Sequence, residues 1–149
     1  MKYLRNIIEA KWWHGTPDVR GIREKGRLMT RKEQWGAKED KPTYFLVKSK
    51  SVAKSYADPF RAFNYRDAVP AVIPVEDKFK NPKHIDWGGN KFHYKDEKGT
   101  WHHIDHHIEQ ARDEGHDSVI IHNIIDDYNV KSKKPTTIGV SFNHENLKL

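Results

Sequence analysis

The sequence predicts a single α+β domain built around a sheet. Ile and Val together number 21 against five Leu, and β-branched side chains favour strands. Segments with a strand-like pattern alternate along the chain with short segments in helical spacing. The 149 residues suit one domain of ordinary size, and neither an internal repeat nor a linker divides them. We therefore expect residues 1–149 to fold as one domain.

The first half of the chain is predicted to hold three helices and three strands. Apolar residues in helical spacing mark 2–10 and about 50–57 as helices. A third helix is expected between Thr16, a residue type that suits an N-cap, and Gly26, a residue type that suits the end of a helix. The predicted strands are 11–16, 27–29 and 43–47, and 30–42 is expected to be a polar connection.

The rest of the chain is predicted to contain fewer elements. Residues 69–75 are expected to be extended, and their two prolines favour an edge or bulged strand. A helix over about 101–114 is expected to end at Gly115. Further strands are predicted over 117–122 and 138–142, with turns at Asn81-Pro82 and Gly88-Gly89 and loops over 58–68 and 126–135.

Composition excludes several classes of protein. No run approaches the roughly 18 apolar residues that a membrane helix needs. Charges at Lys2, Arg5 and Glu9 interrupt the start of the chain, where a secretory signal needs an apolar run. The absence of Cys excludes disulfides, thiolate zinc sites and cysteine nucleophiles. We expect an intracellular, cytoplasmic protein that does not contact a membrane.

Positive charge is concentrated in the first half. The whole chain carries 27 Lys and Arg against 21 Asp and Glu, a net charge of +6. Residues 1–75 hold 16 of the cations and 8 of the acids, or +8, whereas residues 76–149 hold 11 and 13, or −2. An ordinary solvated surface accommodates such a bias, and an anionic ligand or a nucleic acid also suits it.

Short motifs follow one another in a fixed order along the chain. The series begins with Trp13-His-Gly-Thr16, Gly21-Ile22 and Gly26. It continues with Tyr44-Phe45, Ser51, Ala53 and Tyr56, and it ends with two longer segments, 111–121 and 140–148. Together they resemble the ADP-ribosyltransferase superfamily, in the H-Y-E branch of diphtheria toxin and the poly(ADP-ribose) polymerases. The two later segments are similar to phage and polyvalent-protein members. The resemblance covers most of 12–148 and is weakest over 58–100.

The resemblance implies a fold, a substrate and a reaction. The fold is a split, mostly antiparallel sheet that binds NAD in the cleft between its halves. The reaction transfers one ADP-ribose from NAD to a protein or nucleic acid acceptor and releases nicotinamide. NAD is the expected substrate and no metal site is expected. The phage members imply a protein that acts inside a bacterial host.

The residue types at the motif positions suit an NAD pocket. A glycine at the end of a strand, Gly15, lets the backbone approach a carboxamide closely, and His14 offers a directed donor to a ribose hydroxyl. Tyr44 and Tyr56 could sandwich the nicotinamide ring. The resemblance assigns these same roles, and Arg27 and Arg31 are the expected cations for the pyrophosphate. The predicted NAD-binding set is His14, Gly15, Thr16, Arg27, Tyr44, Ser51 and Tyr56.

The chain departs from the family at its third catalytic position. The family has a Glu that opens the last strand, where it holds the nicotinamide ribose. Alignment of Phe142 and the tail behind it puts Ile138 at that position, with Thr137 beside it. Neither side chain can stabilise charge as a carboxylate does. Members with Ile or Thr there resemble mono-ADP-ribosyltransferases that use a carboxylate of the acceptor, or inactive proteins.

This departure sets two expectations. Ile138 is expected to shape the acceptor side of the site, and synthesis of polymers is not expected. The alternative carboxylates in this part of the sequence are Glu145, Asp126 and Asp127, and the alignment over 126–137 selects none of them.

Four histidines stand close together in the segment 101–109. On a helix, His102 with His106 and His103 with His107 would share faces at the i,i+4 spacing that can bind zinc. The segment lacks the HExxH order and an evident third ligand. A solvated histidine face beside two buried isoleucines is therefore the favoured interpretation.

Two basic loops complete the candidate features. The segment 60–66 interleaves aromatic residues with Arg61 and Arg66, a mix that can stack on bases and contact phosphates. A loop that covers NAD or recognises the acceptor is an equal alternative, and a plain surface loop is slightly favoured. The lysines at 131, 133 and 134 are interpreted as a solvated turn.

Two other functions remain open from the sequence. A catalytically inactive module of the same fold could keep an NAD- or nucleic-acid-binding cleft. The missing Glu favours that module, and the His and Tyr positions oppose it. A metal-dependent hydrolase that uses the histidine helix would contain stoichiometric zinc.

Overall fold

The computed structural model describes residues 12–30, 33, 41–58, 67–126 and 134–149. Within these ranges the chain forms three α-helices: α1 (Arg20–Lys25), α2 (Lys50–Tyr56) and α3 (Ile104–Asp113). The first strands are β1 (Trp12–Thr16), β2 (Tyr44–Val47), β3 (Ala71–Asp77), β4 (Pro82–Lys91) and β5 (His93–Lys95). The later strands are β6 (Trp101–His103), β7 (Ser118–Ile125), β8 (Thr136–Ser141) and β9 (Leu147–Lys148), the last preceded by a short 3₁₀ helix, His144–Asn146.

Seven of these strands form one sheet in the order β4-β7-β8-β2-β1-β3-β9. The pair β4 and β7 is parallel, and the other pairs in this sheet are antiparallel. β5 and β6 form a separate antiparallel hairpin. The result is a mixed, sheet-rich α/β fold, which confirms the predicted class at that level.

The sheet separates two hydrophobic cores, because successive side chains of a strand point to opposite faces. In β1, Trp12 belongs to one core, whereas Trp13 packs against the other. The first core lies on the α1 side and includes Ile22, Tyr44 and Leu46. The second core lies on the side of α2 and α3, and its central members are Val52, Ala53, Ile104, Ile108, Val119, Ile121, Ile138 and Val140.

The sequence places several element boundaries correctly. The strand over 43–47 and the helix over 50–57 are β2 and α2, and Gly26 ends α1 with a left-handed φ of 69°. The predicted N-cap is wrong, because α1 begins at Arg20 behind Val19, which makes no side-chain cap. Thr16 instead closes a local turn, in which its hydroxyl accepts from the Asp18 N–H at 3.2 Å.

Residues 27–29 do not form the predicted strand. The Thr30 N–H donates to the Glu33 carboxylate at 3.1 Å, and the Glu33 N–H donates back to the Thr30 hydroxyl at 3.2 Å. This reciprocal pattern is a capping box. Within 27–29, the Arg27 guanidinium donates to the Leu28 carbonyl oxygen at 2.9 Å, so a side chain occupies a group that strand pairing would use.

The segment 77–100 contains strands where the sequence predicts turns. β4 runs through Gly88 and Gly89, whose φ values are 66° and 79°, and the pairing with β7 shifts register between Asp86 and Asn90. The two glycines therefore form a bulge inside a strand rather than a turn between elements. Pairing with β7, which is distant in sequence, decides this outcome.

Several expectations concern residues outside the described ranges. These are the helix over 2–10, the loop 60–66, Arg31, Asp127 and the lysines at 131 and 133. The longest described helix, α3, has ten residues, and none of the helices in the described ranges is long and apolar enough to cross a bilayer.

Candidate functional site

The first two strands diverge where the predicted NAD residues lie. β1 pairs with β3 along its whole length, through five residue pairs from Trp12 to Thr16. β2 likewise pairs with β8 at all four of its residues. Between β1 and β2 the pairing is limited to Trp13 and Val47. Beyond that pair the sheet opens into what we call the β1–β2 gap.

The backbone of Gly15 is turned toward this gap. Pro74 lies opposite Trp13 and has no N–H, so their pair is of the type that exchanges no hydrogen bonds. Hydrogen-bonded and non-hydrogen-bonded pairs alternate along an antiparallel ladder. The N–H and C=O of Gly15 therefore point away from β3 and toward β2, where they can meet a carboxamide.

The side chain of His14 bridges the gap. Its Nδ1 lies 2.9 Å from the carbonyl oxygen of Phe45, and a carbonyl can only accept, so Nδ1 carries the proton. Burial lowers the pKa of His14 more than this hydrogen bond raises it. The imidazole is therefore neutral near pH 7, and its Nε2 presents a lone pair.

The Nε2 of His14 has no hydrogen-bond partner among the described residues, although it is buried. A buried polar atom without a partner costs about 1–3 kcal/mol, so such atoms call for an explanation. A ligand hydroxyl that donates to Nε2 removes the cost. In this tautomer Nε2 can only accept, so a ribose hydroxyl would donate to it, whereas the sequence predicts that His14 donates to the hydroxyl.

Helix α2 packs directly on Gly15. A Cβ at this position would lie 1.7 Å from the carbonyl oxygen of Ala53 and 3.1 Å from the Cβ of Tyr56. Ser49 holds the start of the helix by accepting from the Val52 N–H at 3.3 Å. Glycine is therefore required for packing as well as for any approach to a ligand.

Tyr56 connects this position to a buried carboxylate. Its hydroxyl lies 2.7 Å from each carboxylate oxygen of Asp126, and Asp126 is only 2% exposed. Asp126 directly follows β7, and the pairing of Ile124 with Thr136 sets it beside the opening of β8. Ile138, which the sequence aligns with the family's Glu, lies two residues further along β8 and pairs with Ile121 instead.

The two predicted ring partners do not face each other. Tyr44 is buried in the core on the α1 side of the sheet, whereas Tyr56 packs on the α2 side. Strand alternation causes the separation, because Tyr44 and Leu46 point opposite to Val47. The predicted sandwich of nicotinamide between Tyr44 and Tyr56 is therefore wrong for this structure.

The predicted cation for the pyrophosphate is engaged elsewhere. The guanidinium of Arg27 donates to both carboxylate oxygens of Glu33, at 3.0 and 2.6 Å, and to the carbonyl oxygen of Leu28 at 2.9 Å. The pair lowers the pKa of Glu33 to about 2. Arg27 is therefore a structural residue, and Arg31 lies outside the described residues.

The remaining predicted site residues lie in three different environments. Thr16 is buried in its turn, and Ser51 is exposed on the first turn of α2, 3.2 Å from the Ser49 hydroxyl. Ile138 is 1% exposed and pairs with Val47 and Ile121 inside the sheet. A core residue cannot shape an acceptor surface, so that expectation for Ile138 is corrected.

The histidine segment is divided between two elements. His102 and His103 lie on β6, whereas His106 and His107 lie on α3, so the i,i+4 pairing across a helix does not exist. The Nε2 of His102 lies 2.8 Å from the Asp96 carboxylate, and His103 caps α3. The part of the chain that the structure describes holds no group of three or more His, Cys, Asp or Glu placed to bind a metal.

The sequence suggested Asp126 only as one carboxylate among three. Its partnership with Tyr56 spans 70 positions and leaves no local motif. A buried acid directly after an apolar strand is the signal that could have found it.

Comparison of the chain with protein-family models, with curated proteins and with solved structures finds no match.

Proposed function

We propose that this chain is a mono-ADP-ribosyltransferase that transfers ADP-ribose from NAD to a protein or nucleic acid acceptor and releases nicotinamide. One juxtaposition carries the proposal. The unpartnered Nε2 of His14 and the backbone edge of Gly15 lie at the β1–β2 gap, and Tyr56, whose hydroxyl donates to Asp126, packs against the same glycine.

The gap offers separate contacts for the two ends of nicotinamide riboside. The N–H and C=O of Gly15 suit the carboxamide, which has one acceptor and one donor group to match them. The neutral His14 accepts from a ribose hydroxyl through Nε2. The phenol ring of Tyr56, which stays beside Gly15, is the candidate to stack on nicotinamide.

The reaction breaks the bond between ribose C1 and the nicotinamide nitrogen. Both electrons of that bond leave with nicotinamide, and positive charge develops on the ribose ring. The buried carboxylate of Asp126 is the candidate to stabilise this charge, because a fixed anion in a dry site acts strongly. The acceptor nucleophile then bonds to C1 and loses its proton.

Single transfer suits this arrangement better than polymer synthesis. Asp is one methylene shorter than Glu, and the carboxylate of Asp126 already accepts from the Tyr56 hydroxyl. Such a carboxylate acts through its charge on the ribose rather than by holding a second ADP-ribose as acceptor. The proposal therefore keeps the mono-transferase reaction expected from the sequence.

The test is incubation of the full chain with labelled NAD and bacterial lysate. We expect the wild type to label a macromolecule, and His14→Gln and Asp126→Asn to label at least tenfold less. His84→Gln is the matched control, since His84 is an exposed histidine on β4. The transferase proposal is wrong if the wild type labels nothing or if His14→Gln labels as well as wild type.

A binding module without turnover is the second candidate. The observation that favours it is the apolar Ile138, buried where the family carries its catalytic Glu. Calorimetry with NAD separates the two candidates. Binding of NAD that His14→Gln weakens, together with no labelling and no release of nicotinamide, supports the module.

A further inference from the structure

The β5–β6 hairpin has one packed face and one open face. Tyr94 and His102 lie on the packed face, where Tyr94 contacts the edge of Trp87 at a centroid distance of 5.3 Å. His102 stacks on Tyr94 at 5.0 Å. Strand alternation turns the other side chains outward. These are His93, Lys95, Trp101 and His103, and we call them the Trp101 face.

Trp101 is the centre of this face. It is 60% exposed, the highest value among the large apolar side chains in the described ranges. The ring of His93 stacks beside it, with centroids 4.6 Å apart and planes 29° apart. His103 continues the row at 5.4 Å from His93. An exposed Trp supported by a second flat ring is a surface on which another π system can stack.

Positive charge lies next to the rings. The Nζ of Lys95 is 5.9 Å from the Trp101 ring centre, and Lys98 is exposed in the hairpin turn. The neighbouring Asp96 accepts from the N–H groups of Lys98 and Thr100, both at 2.9 Å, and contacts His102 on the packed face. Its charge is therefore directed away from the Trp101 face.

Acidic groups limit where an anion can lie. The Asp105 carboxylate is 3.5 Å from the Nδ1 of His103, at the end of the hairpin where α3 begins. Glu97 is exposed in the turn beside Lys98. A phosphate is consequently best placed near Lys95, in the last pair before the turn, with a base stacked on the face of Trp101 that His93 does not cover.

From these contacts we infer that the Trp101 face binds single-stranded nucleic acid. Stacked aromatic rings with adjacent cations are the general means of binding unpaired bases and their phosphates. A duplex hides its base faces, so it cannot use the exposed Trp101 ring in this way. The inference does not depend on the proposed transferase activity, because no residue of the β1–β2 gap takes part in it.

The test measures the fluorescence anisotropy of labelled oligo-dT and oligo-rU with the full chain. We expect Trp101→Ala and Trp101→Leu to weaken binding by about tenfold or more, because stacking contributes about 1–3 kcal/mol per base. Trp101→Phe keeps a ring and should retain most of the affinity. Lys95→Gln should lower the slope of affinity against salt by about 0.7, the value for one phosphate on a single strand.

Leu149→Ala is the matched control, because Leu149 is 48% exposed and follows β9 at the opposite edge of the sheet from β4. Thermal melts of each variant report folding, and the Leu and Phe variants keep the comparison informative if Trp101→Ala unfolds. Equal affinities of Trp101→Leu and wild type would overturn the inference. Binding of an acidic peptide but of neither oligonucleotide would also overturn it, since the partner would be a protein.

Discussion

The hydroxyl of Tyr56 donates to the carboxylate of Asp126, with 2.7 Å to each of its oxygens, across 70 positions of sequence. The contact joins the end of α2 to the end of β7. It brings a buried acid to the side of the sheet on which α2 covers Gly15.

Tyr56→Phe removes the donor while it keeps the ring. We expect the free energy of unfolding to fall by about 1–3 kcal/mol, because a buried carboxylate loses a hydrogen bond. Urea denaturation measures the change. Tyr94→Phe is the control, since the described contacts of Tyr94 are ring contacts and not hydrogen bonds of its hydroxyl. Equal stability of the two variants would contradict the importance of this contact.

Gly15→Ala introduces a methyl group 1.7 Å from the Ala53 carbonyl oxygen. Backbone cannot move aside cheaply, so we expect a loss of about 3 kcal/mol or more, at or above the usual range for overpacking. Gly21→Ala is the matched control, because the atom nearest to its new Cβ is the sulfur of the flexible Met29 side chain. If thermal melts give Gly15→Ala and Gly21→Ala the same melting temperature, α2 shifts away from Gly15 at little cost and this prediction is wrong.

Glu33→Gln tests the ion pair with Arg27. The pKa of Glu33 is lowered to about 2 in the folded chain, against about 4.3 in an unfolded one. The pair therefore stabilises the fold above about pH 4.3, and this contribution is lost as the pH falls toward 2. We expect the variant to be less stable at pH 7 by about 1–2 kcal/mol, after allowance for solvent screening.

Denaturation of Glu33→Gln and wild type at a series of pH values measures this effect. The stability difference should shrink steadily through the acid range and disappear near pH 2. If Glu33→Gln and wild type have the same free energy of unfolding at pH 7, the Arg27–Glu33 pair does not stabilise the fold.

His14→Gln tests the buried neutral imidazole. Burial lowers the pKa of His14, whereas an unfolded His takes up a proton near pH 6.5. The folded state is therefore penalised as the pH falls below about 6.5, until the lowered pKa is reached. We expect the stability of wild type relative to His14→Gln to decline between pH 8 and pH 5. A difference that does not change with pH contradicts a buried neutral ring.

The local signals in this sequence succeed where neighbouring residues decide the structure. Gly26 ends α1 because its left-handed φ costs glycine little. The apolar spacing over Val52 and Ala53 defines α2, since it describes one face of one helix. The same kind of reasoning fails for the helix predicted over 101–114, because residues 101–103 pair with β5 in a hairpin.

Local sequence signals carry no information about pairing between segments that lie far apart in the chain. Gly88 and Gly89 have the composition of a turn, and β7 nevertheless pairs on both sides of them. Tyr44 and Tyr56 have the spacing of a ring sandwich, and the sheet nevertheless passes between them. In each case the free energy of the sheet as a whole outweighs the local preference.

By itself the sequence determined the sheet-rich class and the position of α2, because these depend on residue type and short spacing, and the family resemblance supplied the candidate pair His14 and Gly15. Only the tertiary structure decided the tautomer of His14, the core position of Ile138 and the carboxylate that accompanies Tyr56. Those features depend on the carbonyl of Phe45 and on strands β7 and β8. Burial and hydrogen bonds between residues far apart in the chain create them, and no local pattern encodes such contacts.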